Sequence, residues 1–172
     1  MGAAGLALPF YVIYARDVQN IGLGAVGLFL SAQMLGRVSS NILWAHLSDF
    51  VGNRRVIQIS ALVGLMVPLI ALLSRSHSKL LFLALFFLIG FFFSGRLIGK
   101  TNYLLDIAGS KDRPTYISLT GTLVFPISLF PLLGGLIVQF VSYRVLFLLT
   151  TFFILLGLIL SVRLREPKDP VR

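Results

Sequence analysis

Cysteine is absent from the 172 residues of this chain. Disulfides, thiolate nucleophiles and cysteine-based metal sites are therefore excluded. Acidic residues are also scarce, six against fifteen lysines and arginines. The nucleophile–base pair or carboxylate pair that a membrane-embedded enzyme needs is not found, so no catalysis is expected. Of the two histidines, His46 stands three residues before Asp49, which is helical reach, and His77 falls in a different connecting segment. Two ligands do not make a metal site, and nothing in the sequence calls for a metal or an organic cofactor. Charge of either sign is rare too, at 12% of residues, where a soluble domain carries about 25%.

What fills the space is hydrocarbon. Hydrophobic residues make up 57% of the chain, and its mean hydropathy is +0.94. Five charge-free windows run over Val18–Gly36, Val56–Ser74, Leu80–Gly95, Pro114–Tyr143 and Val145–Val162, preceded by a shorter one at Met1–Ala15. About 18 apolar residues suffice to cross the hydrocarbon core as a helix. The lipid bilayer is thus the first partner. In lipid the backbone must satisfy itself internally, and runs this long and uniform indicate helices rather than the alternating strands of a barrel. The net charge of +9 does not indicate nucleic acid, because the basic residues lie between and at the ends of the apolar runs.

The expected fold is an all-α integral membrane bundle of six helices over 1–15, 22–47, 55–74, 80–106, 114–140 and 144–163, with a cytoplasmic tail over 164–172. The first would reach only about 22 Å, short of a core of roughly 30 Å, and so reads as an incomplete span. Met1–Ala15 has no positive leader region, so a cleaved signal peptide is not expected. Six crossings put both termini on one side. That side holds Arg54, Arg55, Arg96, Lys100, Lys111, Arg113, Arg163, Arg165, Lys168 and Arg172, with Arg37 counted in the half of its helix nearest it; the other holds Arg16, Arg75, Lys79 and Arg144. The excess favours cytoplasmic termini in a plasma (inner) membrane protein. Pro9, Pro68, Pro126 and Pro131 lie inside apolar runs, where kinks suit helices that bend around a cavity.

The segment after the second helix reads Ala45-His-Leu-Ser-Asp49-Phe-Val-Gly52-Asn-Arg54-Arg55. It resembles the cytoplasmic loop signature of the major facilitator superfamily, Gly-x-x-x-Asp-Arg-x-Gly-Arg-Arg/Lys, with Asp49, Gly52, Arg54 and Arg55 in the matching places and Ala45, Phe50 and Asn53 departing from it. Pro131-Leu-Leu-Gly134-Gly135 is similar to the Gly-Pro-x-x-Gly-Gly element of that family's fifth helix, with Phe130 in place of the leading glycine. Tyr143-Arg144-x-x-Phe147 resembles the aromatic-Arg-x-x-Phe opening of the sixth. The resemblance covers nearly the whole chain. It implies one bundle of a twelve-helix secondary transporter, read here as the C-terminal half beginning inside the seventh helix. It also implies a second six-helix bundle as partner, from a missing N-terminal half or another chain, and a small-molecule substrate between the two. Asp49 and Arg54 would brace the two halves, less firmly where Phe50 replaces an arginine.

Polar residues inside the spans are the candidate working groups. Gln33, Arg37 and Asn41 recur every four residues and share one face of the second helix; Arg96 and Lys100 do the same on the fourth, with Asn102 nearby. A cavity lined by Arg37, Arg96 and Lys100 would attract anionic substrates. The competing reading is that these cations snorkel to the interface or pair with acids, and for Lys100 that is the stronger one. Gln33 lines a cavity or glues helices together. Tyr11 and Tyr14 either contact substrate or belong to an aromatic belt. The phenylalanines of 86–93 read as lipid-facing and packing surface, and Asp106 as a partner for Arg113 or a loop arginine. The leading function is transport of a small solute by alternating access. The alternative is a helical membrane protein that does not transport and has a structural or partner-binding role.

Overall fold

In a computed structural model, residues 4–74, 79–108 and 112–164 are described. They form α1 (Ala4–Asp17), α2 (Val26–Val51), α3 (Asn53–Leu73), α4 (Lys79–Ile107), α5 (Arg113–Val124), α6 (Phe130–Phe140) and α7 (Tyr143–Ser161), with 3₁₀ turns at Leu23–Ala25 and Phe125–Leu129. The chain is all-α over these residues. His77, Arg75, Lys111 and the tail beyond Leu164 lie outside them.

Among the described residues, four helical runs are long and apolar enough to cross a membrane: Asn53–Leu73, Lys79–Ile107, Arg113–Phe140 and Tyr143–Ser161. The sequence led us to expect six spans. α1 falls short in length, at 14 residues. α2 has the length, at 26 residues, but Gln33, Arg37, Ser39, Ser40 and Asn41 at its centre lower its hydropathy.

Two boundaries differ from expectation for physical reasons. α2 runs to Val51 rather than 47, because nothing in Ser48-Asp49-Phe50-Val51 breaks a helix until Gly52, whose φ of 84° and ψ of 155° turn the chain. Its centre therefore shifts, and Arg37 sits close to mid-length rather than in the cytoplasmic half. The run 114–140 is not one helix. Pro126 lacks an amide hydrogen, and the chain tightens into the 3₁₀ turn there before α6 restarts with Pro131 in its first turn. Pro9 and Pro68, by contrast, are accommodated within α1 and α3.

α2 and α4 form the most intimate pair. They run parallel, and hydrogen bonds join Asn41 to Ser94 and Ser48 to Asn102, partners 53 and 54 residues apart in sequence. Glycines allow the approach: a Cβ on Gly36 would strike the Phe87 carbonyl, and one on Gly90 the Gln33 carbonyl. In lipid, where apolar burial drives helix association only weakly, such close backbone packing supplies much of the attraction. α1 completes the interior with Tyr11 and Tyr14, 3% and 9% exposed. Tyr11 stacks on Phe147 at 5.0 Å, and Tyr14 meets the same ring edge-on at 5.2 Å. Both tyrosines are buried where α1 packs against α6 and α7 rather than standing in an exposed aromatic belt. Phe82, Phe86 and Phe92 are likewise buried, while Phe87 faces outward.

Candidate functional site

The face-sharing cations of the sequence converge. A groove of about 260 Å³ is lined by Arg37 from α2 and by Phe93, Arg96, Leu97 and Lys100 from α4. The parallel register brings these helices side by side, and Arg96 and Lys100 stand one turn apart on the same face of α4. Arg37 is exposed, while Arg96 and Lys100 are half-buried. The Arg96 guanidinium lies over the Phe93 ring, 5.9 Å from its centroid, a cation–π arrangement that holds the head group in place. The groove lining contains no carboxylate.

Gln33 and Asn41 are not among the groove-lining residues. Asn41 accepts a hydrogen bond from Ser94 Oγ, and the Gln33 carbonyl is the surface on which Gly90 rests. The Asn41 side chain and the Gln33 main chain thus lie in the α2–α4 seam. The same seam holds Trp44, fully buried, with its indole fitted against Gly95 and its N–H donating to the Phe91 carbonyl at 2.9 Å.

The loop signature is distributed at one end of the molecule. Gly52 makes the turn, its amide donating to the Ser48 carbonyl at 3.1 Å. Asp49 and Arg55 are exposed. Arg54 Nη2 donates to the Val162 carbonyl at 2.6 Å, and Gln58 Nε2, one turn along α3, donates to the Ser161 carbonyl at 3.3 Å. Both engage the C-terminal end of α7, where carbonyls lack helical partners and positive charge is favoured. Arg54 thus has a role within its own bundle.

A polar cluster that sequence reading missed lies beside this turn. Ser48 Oγ donates to Asn53 Oδ1 and accepts from Asn102 Nδ2 at 3.2 Å; Asn53 Nδ2 donates to Asp106 Oδ2 at 2.6 Å. Asp106 accordingly bonds to an asparagine rather than to Arg113. The usable signal was Asn102 and Asp106 four apart on one helix, opposite Asn53, one of the positions that depart from the family pattern. At the opposite end Tyr143 donates to Asp17 at 3.4 Å, Gln19 Nε2 donates to the Ser74 carbonyl at 3.1 Å, and Ser142 caps α7. Arg144 is exposed there.

In the proline-glycine element, Pro131 occupies the first turn of α6. A Cβ on Gly134 would meet the Leu6 carbonyl and the Phe10 ring, whereas one on Gly135 would lie at an ordinary 3.7 Å from that ring. Gly134 is therefore the point at which α1 and α6 touch.

An all-α chain with membrane-length apolar helices and paired cations along one groove defines a polytopic membrane protein. The family model described as Major Facilitator Superfamily matches residues 1–172, so the chain belongs to that superfamily of membrane transporters. A comparison with curated proteins finds no match.

Proposed function

We propose that this chain supplies one bundle of a secondary transporter that moves a small solute by alternating access, with the solute held on the α2–α4 groove. The family match supports transport in general. The groove is the observation that carries the rest: three cationic side chains from two helices line it together. Intramembrane cations are costly to keep unless they line a cavity or meet a partner. Gln33 and Asn41 hold the α2–α4 seam that positions Arg37 beside Arg96.

A second six-helix bundle completes the carrier in this proposal. The run Arg113–Phe140 supports it, since 6% of its apolar window is buried against 44% for α3 and for α4. A helix with so little cover within its own bundle has a face left for another. One bundle cannot rock against itself, and paired repeats about a central site are how such carriers work. Asp49, Gly52, Arg54 and Arg55 shape the end that would close against the partner, and the basic residues Arg54, Arg55, Arg113 and Arg163 support a cytoplasmic placement of that end, with both termini inside, in a plasma membrane protein.

The test is the mass of the assembly. The protein, tagged after Arg172 and extracted from its own membrane, is measured by light scattering and on a denaturing gel. The expected protein mass is at least about two bundles, in one polypeptide or two. A lone 18.9 kDa species in both measurements overturns the two-bundle carrier and favours a helical protein with a structural or partner-binding role.

A further inference from the structure

We infer that the α2–α4 groove binds a small oxyanion, a carboxylate- or phosphate-bearing solute, with Arg37 and Arg96 as its principal ligands. This rests on the transport reading above and gives its substrate a chemical class. Depth decides between a ligand role and snorkelling. Fourteen residues separate Arg37 from the end of α2 at Val51 and eleven separate it from the start at Val26, about 21 Å and 16 Å along the axis. Neither end is within reach of an arginine side chain. Arg96 is eleven residues from the end of α4 at Ile107, about 16 Å. It lies one turn deeper in its helix than Lys100. Lys100, seven residues from that end, about 10 Å, is close enough to stretch toward water and serves as an auxiliary cation.

The charges at Arg37 and Arg96 must then be met inside. No carboxylate lines the groove. The nearest acid along α4, Asp106, is six residues past Lys100 and bonded to Asn53. The chemistry favours an oxyanion over a halide. Arginine offers a planar fork of N–H donors that matches two oxygens of a carboxylate or phosphate. The Arg96 guanidinium carbon lies 5.9 Å from the Phe93 ring centroid, within cation–π range. At about 260 Å³ the groove suits a small molecule.

The experiment titrates the protein extracted from its own membrane, placed in nanodiscs of neutral phosphatidylcholine, with radiolabelled inorganic phosphate and, separately, succinate. Saturable binding of at least one is expected. Arg37→Gln and Arg96→Gln should each weaken it at least tenfold, Lys100→Gln about twofold, and Arg37→Lys should fall between wild type and Arg37→Gln because it keeps the charge and loses the fork. Absence of saturable binding by the unaltered protein overturns the inference without recourse to any variant. So does binding that survives the double change Arg37→Gln/Arg96→Gln. If neutral discs show solute binding and phosphatidylglycerol in the nanodisc abolishes it, the groove holds a lipid headgroup in an anionic membrane, and a solute site is likewise overturned. The two readings fail separately. Saturable oxyanion binding by an assembly that moves no such solute across liposomes sinks transport and keeps the site. Uptake of a neutral solute unchanged by the double substitution sinks the site and keeps transport.

Discussion

The indole N–H of Trp44 donates to the main-chain carbonyl of Phe91 across 2.9 Å, tying α2 to α4 beside the residues that line the cationic groove. Trp44 is fully buried, and that carbonyl also belongs to the hydrogen-bond ladder of α4. Hydrogen bonds between membrane helices average about 0.6 kcal/mol and reach about 1.7. Trp44→Phe should lower unfolding stability by that order, whereas Trp44→Ala, which also empties the slot beside Gly95, should cost about 3–5 kcal/mol. Unfolding in mixed micelles followed by circular dichroism checks the ranking; equal losses for the two variants would show that the bond, not the packing, matters.

Gly90 gives the sharper case. A methyl there falls on the Gln33 carbonyl and lies 2.8 Å from the Arg37 amide, both rigid backbone atoms. Gly90→Ala should therefore separate α2 from α4 and cost about 1–3 kcal/mol. Gly27→Ala, on the same α2 but with nothing within 4 Å, should be neutral or slightly stabilising, since alanine is the better helix former. Because Gly90 sits at the level of Arg37, Gly90→Ala should also weaken anion binding without removing a charge.

Which features were readable in advance follows from what each depends on. The all-α architecture rests on the length of apolar runs such as Leu80–Gly95, a local property. So does the one-turn spacing that places Arg96 and Lys100 on one face. Where Tyr11 and Tyr14 point was not local: their burial depends on α1 threading against Phe147 and Phe82, a packing choice invisible in α1 itself. Asp106 pairs with Asn53 for the same reason, two residues 53 apart brought together by the α2–α3 turn. The break at Pro126 was signalled but underweighted, because proline within an apolar run kinks a helix in one place and is absorbed in another, as at Pro68.

Gly52 adopts φ 84° and ψ 155° with open space around its Cβ position. Strain there is therefore purely conformational, in a region of backbone space that is essentially reserved for glycine. Gly52→Ala should cost about 1–3 kcal/mol and loosen the Ser48–Asn53–Asp106 cluster beside it. Hydrogen exchange of the first turn of α3 should rise, while the far ends of α2 and α3 are unaffected. Uniform exchange across both helices would refute a local effect.

Of the paired glycines in α6, only the first should be required. Gly134→Ala drives a methyl into the Leu6 carbonyl and the Phe10 ring, while Gly135→Ala makes a normal contact at 3.7 Å. We expect Gly134→Ala to lower the melting temperature by several degrees, in line with about 1–3 kcal/mol of overpacking, and Gly135→Ala to leave it nearly unchanged. The comparison separates steric need at one position from a general need for helix flexibility, which would make the two changes equally harmful.

Arg54 and Gln58 stand one turn apart on α3 and donate to Val162 and Ser161, consecutive carbonyls at the close of α7. The positive charge of Arg54 also meets the negative end of the α7 dipole, a contribution of roughly 0.3–1 kcal/mol beyond the bond itself. Arg54→Gln should thus fray the last turn of α7, raising amide exchange from Leu160 onward several-fold, and Arg54→Lys should restore the charge but only part of the protection. Gln58→Ala should act in the same place and more weakly, since its bond is longer and uncharged. Arg55→Gln, at an exposed neighbouring position, should leave α7 untouched. Equal fraying with Arg55→Gln would mean that net charge at this end, not the specific Arg54 contact, secures α7.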